Sequence, residues 1–295
     1  MTVRLEGKPV AEAIDGATRA AIAGGPTPGP QLVSVHRGVD SPFRFYLRRQ
    51  GRAAAAIGIA FREETLGAAD GPAELLARLR ALDGDPGVHG VLVEHPLPAP
   101  FDFVAAVAAL RPEKDVDGVG AENLGRLVAH RPGHVPAVAK AALDVARHYR
   151  LPIAGARVAV VGRSETVGLP LALLLAARGE GGDATVTVAH SRTPDLAGAL
   201  AGCRTIFSCA GVPGLLHRGT VPEGSHIVDV GTSSVPDQGR PGSSRIVGDA
   251  DAASLDGWAG SLSPVPGGVG PVTVAELMAS TVRAWQWTAA GGGRR

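Results

Sequence analysis

The chain is 295 residues long and contains few aromatic residues, few cysteines and almost no net charge. Aromatic residues make up 4% of it, and the formal net charge is +1 at pH 7. This balance provides no basis for nucleic acid or a membrane surface as a partner. The two cysteines, Cys203 and Cys209, lie in one apolar segment. They predict buried thiols in a reducing compartment rather than a disulfide, and metal-ligand spacing is absent, so no metal site is expected.

Targeting and membrane signals are also lacking. The start, MTVRLEGKPV, has no apolar h-region, and the longest apolar runs are too short to span a bilayer. We therefore expect a cytoplasmic protein. With 45% hydrophobic and 19% charged residues, the chain is long enough for two domains with sizeable cores. The glycine- and arginine-rich end, 291–295, predicts a flexible tail.

What the sequence does contain is a regular alternation of predicted strands and helices. This alternation favours an α/β fold with parallel sheets covered by helices. The predicted strands span 31–36, 59–62, 90–93, 158–161, 184–188, 205–208 and 226–230. The predicted helices span 9–21, 42–57, 72–82, 101–110, 137–149, 167–177, 195–201 and 272–287. The charged, glycine- and proline-rich stretch 111–134 predicts a loop that contains a domain boundary.

One strand–turn–helix unit has the pattern of a phosphate site. In RVAVVGRSETVGLP, residues 157–170, an apolar strand ends at Gly162 and a helix follows from Val167. Free N–H groups at a helix N-terminus favour an anion, so the unit predicts the first crossover of a dinucleotide-binding fold. The G-x-G-x-x-G spacing is imperfect, because Ser164 and Val167 hold its later positions and Gly168 comes one step late. The spacing alone is weak evidence.

The end of the next predicted strand favours a phosphorylated dinucleotide. NAD sites usually carry an acid there, whereas residues 188–192 read VAHSR. Arg163, Ser191 and Arg192 instead provide charges and a hydroxyl group that suit a 2′-phosphate. A glycine turn that binds no ligand remains the alternative from these residues alone.

Two further stretches suit either a ligand site or a structural role. SPVPGGVGPVT, residues 263–273, combines three prolines with three glycines. They stiffen a loop and allow close approach of backbone to a ligand, and a rigid linker is the alternative. PEKDVDG, residues 112–118, places two carboxylates two residues apart. Asp117 is suited to hydrogen-bond an amidine-like nitrogen of a heterocycle, and a solvated turn is the alternative.

Taken together, these segments resemble one family, the bifunctional methylenetetrahydrofolate dehydrogenase/cyclohydrolases. The resemblance covers nearly the whole chain. In chain order it rests on the helix around Tyr46, VLVEHPLP (91–98), PEKDVDG (112–118), NLGRL (123–127), VGRSETVGLP (161–170), HIVDVG (226–231), VGD (247–249) and PVPGGVGPVTVAEL (264–277).

The resemblance implies two domains with a shared chemistry. Residues 1–120, completed by a returning C-terminal helix at 272–290, would form an α/β folate-binding catalytic domain. Residues 121–271 would form a Rossmann-like NADP-binding domain. In the family, hydride passes from 5,10-methylenetetrahydrofolate to NADP, and water then opens the methenyl product to 10-formyltetrahydrofolate. The resemblance also implies a homodimer formed through the nucleotide domains.

The resemblance carries site residues over by position. Tyr46 would orient the folate, Asp117 would hold the pterin nitrogens, and Pro266 and Gly267 would line the folate site. The residues that would hold NADP are Gly162, Arg163, Ser164, Gly168, His190, Ser191 and Arg192.

The chain departs from the family pattern at the reacting centre. Gln50 stands where the family has a lysine one helical turn after the tyrosine, and VEHP (93–96) replaces the family's Val-Gln-Leu-Pro. A neutral amide cannot shuttle a proton near pH 7, so we expect cyclohydrolase activity to be lost or severely reduced. Glu94 is a candidate base and cation stabiliser, with sequence drift after loss of the lysine as the alternative. For His95, packing is the favoured interpretation.

Two more departures lie near the expected ligands. PAVA (136–139) replaces the family's Pro-Cys-Thr-Pro, so that Ala137 and Val138 remove polar groups expected near the nicotinamide. Phe43 stands where the family commonly has a small serine, and its bulk would reshape the mouth of the folate pocket.

Three functions are compatible with these residues. The first is an NADP-linked methylenetetrahydrofolate dehydrogenase with impaired cyclohydrolase activity, because hydride transfer depends on geometry more than on a protonating residue. The second is a non-redox transferase that passes the methylene unit, as an iminium electrophile, to a nucleophile on a second metabolite. This Mannich-type condensation would use Glu94 as its base. The third is an inactive folate-binding paralogue.

Overall fold

The computed structural model describes residues 1–38, 42–131, 133–237, 239 and 243–291, with only the backbone of 42–45. The chain divides into two compact units. We call Glu12–Ala137 with Val274–Arg295 the first unit, and Met1–Ala11 with Val138–Thr273 the second unit.

Strands and helices alternate along most of the chain. The strands are β1 (Val3–Arg4), β2 (Gln31–Arg37), β3 (Ala60–Leu66), β4 (Gly90–Val93), β5 (Arg157–Val161), β6 (Thr185–Ala189), β7 (Thr205–Ser208), β8 (His226–Asp229), β9 (Ser233–Pro236), β10 (Ser244–Val247) and β11 (Ser261–Leu262). The helices are α1 (Gly7–Ala23), α2 (Pro42–Ile57), α3 (Pro72–Gly84), α4 (Phe103–Val107), α5 (Ala121–Val128), α6 (Ala137–His148), α7 (Gly168–Ala176), α8 (Leu196–Leu200), α9 (Ala252–Leu255) and α10 (Val269–Ala289). Among the described helices, none has the length and apolar character needed to cross a membrane.

The first unit is built on a three-stranded parallel sheet in the order β3-β2-β4. Side chains alternate between the two faces of a strand, and both faces are covered. Val33 and Val35 pack into a core shared with α3 and α4. Leu32 and Leu92 pack into the opposite core, which is shared with α2 and α10. Helix α2 therefore lies over the face that carries even-numbered residues of β2.

The C-terminal helix belongs largely to the first unit, which includes its residues from Val274 onward. Leu277, Val282 and Trp285 are buried in the same core as Leu32. Apolar residues along α10 thus complete the sheet's second core. The predicted return of the C-terminal helix to the first domain is confirmed.

The second unit contains a six-stranded sheet in the order β1-β11-β8-β7-β5-β6, in which every pair is parallel. Strand β5 pairs with β6 on one side and with β7 on the other, so the glycine-rich turn after β5 lies at the point where the strand order reverses, next to the edge strand β6. This is the arrangement of a Rossmann-like domain, in which ligands bind at the carboxyl ends of the strands. The predicted α/β fold with a second, nucleotide-type domain is confirmed.

The stretch 111–134 is not all loop, so the prediction there was wrong. It contains α5, whose Asn123 and Leu127 are buried. The Asn123 side chain donates to the carbonyl oxygen of Pro112 and to Asp115, at 2.9 and 3.0 Å. Tertiary contacts therefore stabilise a short helix whose Gly125 weakens its local signal. Five other short elements, β1, β9, β10, β11 and α9, were not predicted.

The boundaries between the two units in the sequence differ from the predicted ones. They divide after Ala137 and after Thr273, whereas the sequence placed the boundaries after 120 and 271. The segment Met1–Ala11 belongs to the second unit. The reason is that β1 pairs with β11 at the edge of the larger sheet.

Trp285 provides a test of how α10 stabilises the first unit. Its side chain is 2% exposed, and its Nε1–H donates to the carbonyl oxygen of Pro28 over 2.8 Å. Trp285→Ala would leave a cavity and an unpaired carbonyl, so we expect the free energy of unfolding to fall by about 3–5 kcal/mol in urea titrations. The matched control is Gln286→Ala at the exposed next position of the helix, with a change within about 0.5 kcal/mol. Similar losses in both variants would contradict this account.

Candidate active site

The carboxyl end of the first unit's sheet carries polar side chains on one face. Ser34 and His36 are two residues apart on β2 and therefore share a face. The register of β2 with β3 pairs Ser34 with Glu63 and His36 with Thr65. Glu94 follows β4 directly, and its backbone N–H continues the ladder to β2. We call this set the polar end of the sheet: Ser34, His36, Glu63, Thr65 and Glu94.

Glu94 is the buried centre of this set, with 6% of its surface exposed. Its Oε1 accepts hydrogen bonds from Ser34 Oγ at 2.8 Å and from Gln50 Nε2 at 2.9 Å. Among the described residues, none donates to Oε2. Two donors on one oxygen favour the ionised carboxylate and leave the other oxygen available to a ligand or to water.

Helix α2 places Tyr46 and Gln50 one turn apart, so that both lie on the same face of the helix. Gln50 is fully buried, and its Oε1 has no hydrogen-bond partner among the described residues. Arg48 is exposed and Arg49 half-buried, in keeping with their positions on other faces of the helix. Gln50, at the family's lysine position, therefore has a buried side-chain amide that is hydrogen-bonded to the carboxyl group of Glu94.

The two carboxylates of 112–118 have different surroundings. Asp115 is buried and accepts hydrogen bonds from the backbone N–H groups of Gly118 and Gly120 and from the side chain of Asn123. It therefore stabilises the turn itself. Asp117 is half-buried, and its carbonyl oxygen accepts a hydrogen bond from the N–H of Ala137 at 3.1 Å. Among the described residues, the turn is therefore capped by the side chain of Asp115 and not by that of Asp117.

Charge interactions link Tyr46, Glu94 and Asp117 into one cluster. Burial raises the pKa of the Asp117 carboxyl to about 7, and the charges of Asp115 and Glu94 add to that rise. Burial also raises the pKa of Glu94, while its two hydrogen bonds act in the opposite direction. Burial, followed by the two carboxylates, raises the pKa of Tyr46. The cluster therefore combines a neutral phenol with two acids that ionise less readily than usual.

The remaining predicted positions of this unit are His95, Ala137 and Phe43. His95 is exposed, and its ring packs edge-on against Phe103 with 4.6 Å between ring centroids. Ala137 offers only its backbone N–H, to Asp117. The side chain of Phe43 lies outside the described residues, so its predicted effect on the pocket mouth stays a prediction.

In the second unit, the loops after β5, β6 and β7 line a cavity of about 430 Å³. Gly168 and Arg192 do not line it but shape the loops that do. The N–H of Gly168 donates to Ser164 Oγ at 3.3 Å, and the N–H of Arg192 donates to His190 Nδ1 at 3.1 Å. Five of the seven predicted nucleotide residues line the cavity: Gly162, Arg163, Ser164, His190 and Ser191.

Two glycines are needed for the close packing of this turn. Gly162 has φ +124°, and a Cβ atom there would lie 2.5 Å from the carbonyl oxygen of Cys209. A Cβ atom at Gly168 would collide with the carbonyl group of Gly162. The glycine that comes one step late in the fingerprint is therefore the residue that lets α7 pack on the turn.

The third loop of the cavity is held by a buried acid, Asp249. Its carboxylate accepts hydrogen bonds from Ser208 Oγ at 2.7 Å and from the N–H groups of Ala210, Gly211 and Val212 at 2.8, 3.2 and 2.7 Å. Asp249 thus fixes the backbone that faces the glycine turn.

The composition of the cavity fits a phosphorylated dinucleotide. Its described lining residues include Arg163 and no carboxylate, and the exposed Arg192 follows the lining residue Ser191 in the chain. Backbone, hydroxyl and guanidinium groups are suited to phosphate oxygens.

Pro266 and Gly267 also belong to the second unit, in the loop that enters α10. Gly267 has φ +115°, and its carbonyl oxygen accepts the N–H of Gly7 at 2.8 Å.

Two family descriptions match the chain. The tetrahydrofolate dehydrogenase/cyclohydrolase catalytic domain matches residues 5–117, and the NAD(P)-binding domain of the same family matches residues 136–289. The chain belongs to the tetrahydrofolate dehydrogenase/cyclohydrolase family. The identification from sequence motifs is confirmed.

Individual members of the tetrahydrofolate dehydrogenase/cyclohydrolase family are similar over nearly the whole chain. "Bifunctional protein FolD" of Nocardia farcinica is 41% identical over 290 residues, covering 96% of this chain and 97% of that protein. Its counterpart in Desulfovibrio desulfuricans is 40% identical over 269 residues, 91% of each chain. The methylenetetrahydrofolate dehydrogenase-cyclohydrolase of Trypanosoma brucei, solved with NADP cofactor and inhibitor, is 34% identical with a TM-score of 0.91, covering 98% of both chains.

Three residues of this family member were not predicted to serve a site. Ser34 and His36 are polar at positions that share a face with Leu32, so the alternation in QLVSVHR carried the signal. Asp249 lies in VGD, a segment used only for its resemblance. A buried acid that caps a loop has no local spacing rule, so sequence reasoning had no means to find it.

The Asp117 carboxyl predicts a pH dependence of stability. Because its pKa in the folded chain is raised to about 7, its proton stabilises the folded state at low pH, and that contribution is lost as pH rises through about 7. Asp117→Asn cannot ionise and should be more stable than the parent at pH 8 by about 1 kcal/mol, with a smaller difference at pH 5. Urea unfolding at both pH values measures this. The exposed control Glu223→Gln should show no such difference, and a parent more stable than Asp117→Asn at pH 8 would refute the expectation.

Proposed function

We propose that this protein is an NADP-linked 5,10-methylenetetrahydrofolate dehydrogenase whose cyclohydrolase activity is lost or impaired. The environment of Gln50 is the observation that supports the loss or impairment of cyclohydrolase activity. Its amide is fully buried and donates to Glu94, at the position where the family places a lysine. An amide has no protonation change near pH 7, so the water step lacks its acid/base group.

The first unit has no lysine that could replace the missing one in the hydrolysis step. The sequence contains three lysines, Lys8, Lys114 and Lys140, and Lys114 is the one that lies in this unit. Its ammonium donates to the carbonyl oxygens of Leu82, Asp83 and Asp85 at 2.9, 2.7 and 2.6 Å. Lys114 is therefore engaged at the end of α3. Arg48 and Arg49 carry guanidinium groups that stay protonated and cannot act as bases.

Hydride transfer requires less of the chain than hydrolysis does. NADP, when bound, supplies the hydride acceptor, and Gly162, Arg163, Ser164, His190, Ser191 and Arg192 would hold its phosphates and adenosine end. Tyr46, Asp117, Pro266 and Gly267 would contact the folate. Loss of a hydride leaves a methenyl carbon with positive charge, which an ionised Glu94 would stabilise. No proton is taken up or released in that step, so Gln50 does not block it.

The test is to incubate the protein with methylenetetrahydrofolate and NADP and to follow NADPH absorbance. Steady NADPH formation is expected, with the methenyl compound as the product. Absence of NADPH while folate still binds would overturn the dehydrogenase proposal.

A methylene transferase is the second candidate, and it is favoured by Oε2 of Glu94, to which no described residue donates. A carboxylate with a raised pKa and one such oxygen is suited to remove a proton from an incoming nucleophile. The discriminating experiment supplies labelled methylenetetrahydrofolate and the small-molecule fraction of a cell extract without NADP. Transfer of label to a new compound, abolished by Glu94→Gln with folate binding intact, supports this function. Absence of any transfer rules it out.

The family pair of lysine and glutamine predicts how hydrolysis can be regained. A lysine introduced alone by Gln50→Lys would lie against Glu94, which would hold the amine protonated. The double variant Gln50→Lys/Glu94→Gln restores the family pair, and we expect it to accelerate methenyl hydrolysis on the order of 100-fold over the parent. The single variant should gain less, and Gln50→Leu should gain nothing. Loss of methenyl absorbance gives the rates. Equal rates in the parent and the double variant would contradict our interpretation of Gln50.

We also propose a homodimer formed through the second units. Leu169 and Leu173, one turn apart on α7, and Val188 on the edge strand β6 are 43%, 38% and 36% exposed. Exposed apolar side chains of this kind mark association surfaces. Light scattering should give twice the 29.9 kDa chain mass, and Leu173→Glu should lower it. Val104→Glu, on an exposed position of the first unit, is the control. A parent mass of one chain would contradict the proposal.

A further inference from the structure

His36 is a buried titratable side chain that the proposed function does not use. It lies on β2 and is 6% exposed. Its Nε2 lies 3.3 Å from Thr65 Oγ1 and 3.5 Å from Glu63 Oε2. Its Nδ1 is buried and has no hydrogen-bond partner among the described residues. The Nε2 side of the imidazole therefore contacts residues of β3, whereas the buried Nδ1 has no described hydrogen-bond partner.

Glu94 is the acidic residue that the strand register brings next to His36. The register of β2 with β4 pairs Val35 with Val93, so the next step along both strands sets His36 beside Glu94. The N–H of Glu94 donates to the carbonyl oxygen of Val35 at 3.0 Å, which extends the ladder to this point. His36 and Glu94 therefore occupy adjacent positions on one face of the sheet.

We propose that His36, anchored by Glu63 and Thr65, is a positioning residue that keeps the Glu94 carboxyl ionised for its work at the reacting carbon. The proposal rests on the proposed role of Glu94 as the charge beside that carbon. His36 itself touches neither folate nor nucleotide in this account. It acts by placing its imidazole beside a carboxylate whose Oε1 already accepts hydrogen bonds from Ser34 and Gln50.

The other charged groups around Glu94 that the structure describes cannot perform this task. Glu63 faces it from β3, Tyr46 from α2 and Asp117 from the segment after β4, and all three are acids. Among the charged side chains that act directly on Glu94, His36 is the one that lowers its pKa, whereas Glu63 raises it. Arg49 acts on Tyr46. Removal of the imidazole therefore leaves Glu94 with its two hydrogen bonds but without the one described side chain whose charge lowers its pKa.

The test is a carbon-13 NMR titration of the glutamate side chains in the full-length protein, with the Glu94 signal assigned by its loss in Glu94→Gln. His36→Gln should raise the pKa of Glu94 by about half a unit or more, since an amide cannot replace the charge interaction by which His36 lowers that pKa. The matched control is His89→Gln, which changes another buried histidine of the same unit and should leave the pKa of Glu94 in place. A Glu94 titration unchanged in His36→Gln overturns the proposal.

A reciprocal measurement covers the case in which His36→Gln does not fold. Charge coupling between two groups acts equally in both directions. The ring nitrogen-15 signals of His36 should therefore change in Glu94→Gln relative to the parent. Identical His36 signals in the two proteins contradict the proposal.

The pH profile of dehydrogenase activity distinguishes this inference from the proposed function. If Glu94 stabilises the cationic carbon, the acid limb of the dehydrogenase pH profile should move upward in His36→Gln by the same amount as the NMR midpoint. This should lower the rate on the acid limb about threefold relative to the parent, with little change at pH 8. A shifted NMR midpoint with an unshifted profile overturns the role assigned to Glu94 in catalysis, whereas the NMR result alone decides the role of His36.

Discussion

The chemistry of the first unit depends on the burial of one carboxyl group at the end of a parallel sheet. A buried carboxylate is strongly destabilising unless hydrogen bonds and nearby cations compensate for lost water. Here Ser34 and Gln50 donate to Oε1 of Glu94, and His36 lies at the adjacent strand position. These residues come from β2 and α2, so the sheet and its covering helix must both be in place before Glu94 can remain charged.

Under the proposed function, this arrangement would exchange one kind of reactivity for another. A lysine at position 50 would bring a cation and a proton donor to the centre, whereas Gln50 brings a neutral donor and Glu94 brings an anion. An anion at this position favours a positively charged one-carbon unit but offers no replacement for the lost ammonium. The second unit is not altered in the same way. Its glycine turn, its arginines and the loop held by Asp249 keep the features that a phosphorylated dinucleotide requires.

The sequence predicted the scaffold well because strands, helices and glycine turns leave local patterns. The strands 90–93 and 205–208 match β4 and β7, and the fold class followed from the alternation. The motifs also identified Tyr46, Gln50, Glu94 and Asp117 as candidate site residues. What could not be predicted depends on tertiary contacts: helix α5 through Asn123, the pairing of β1 with β11, and the structural rather than functional role of Asp115. Ser34 and His36 were missed because their partners are 60 and 29 residues away in the chain.

The most direct test of this account is the hydrolysis of 5,10-methenyltetrahydrofolate by the unaltered protein, measured against buffer at the same pH. The account predicts that the protein leaves the rate close to that of buffer, because Gln50 cannot move a proton and Lys114 is engaged elsewhere. Rapid hydrolysis by the unaltered protein would contradict it, and would show that Glu94 or another group performs the family's water step.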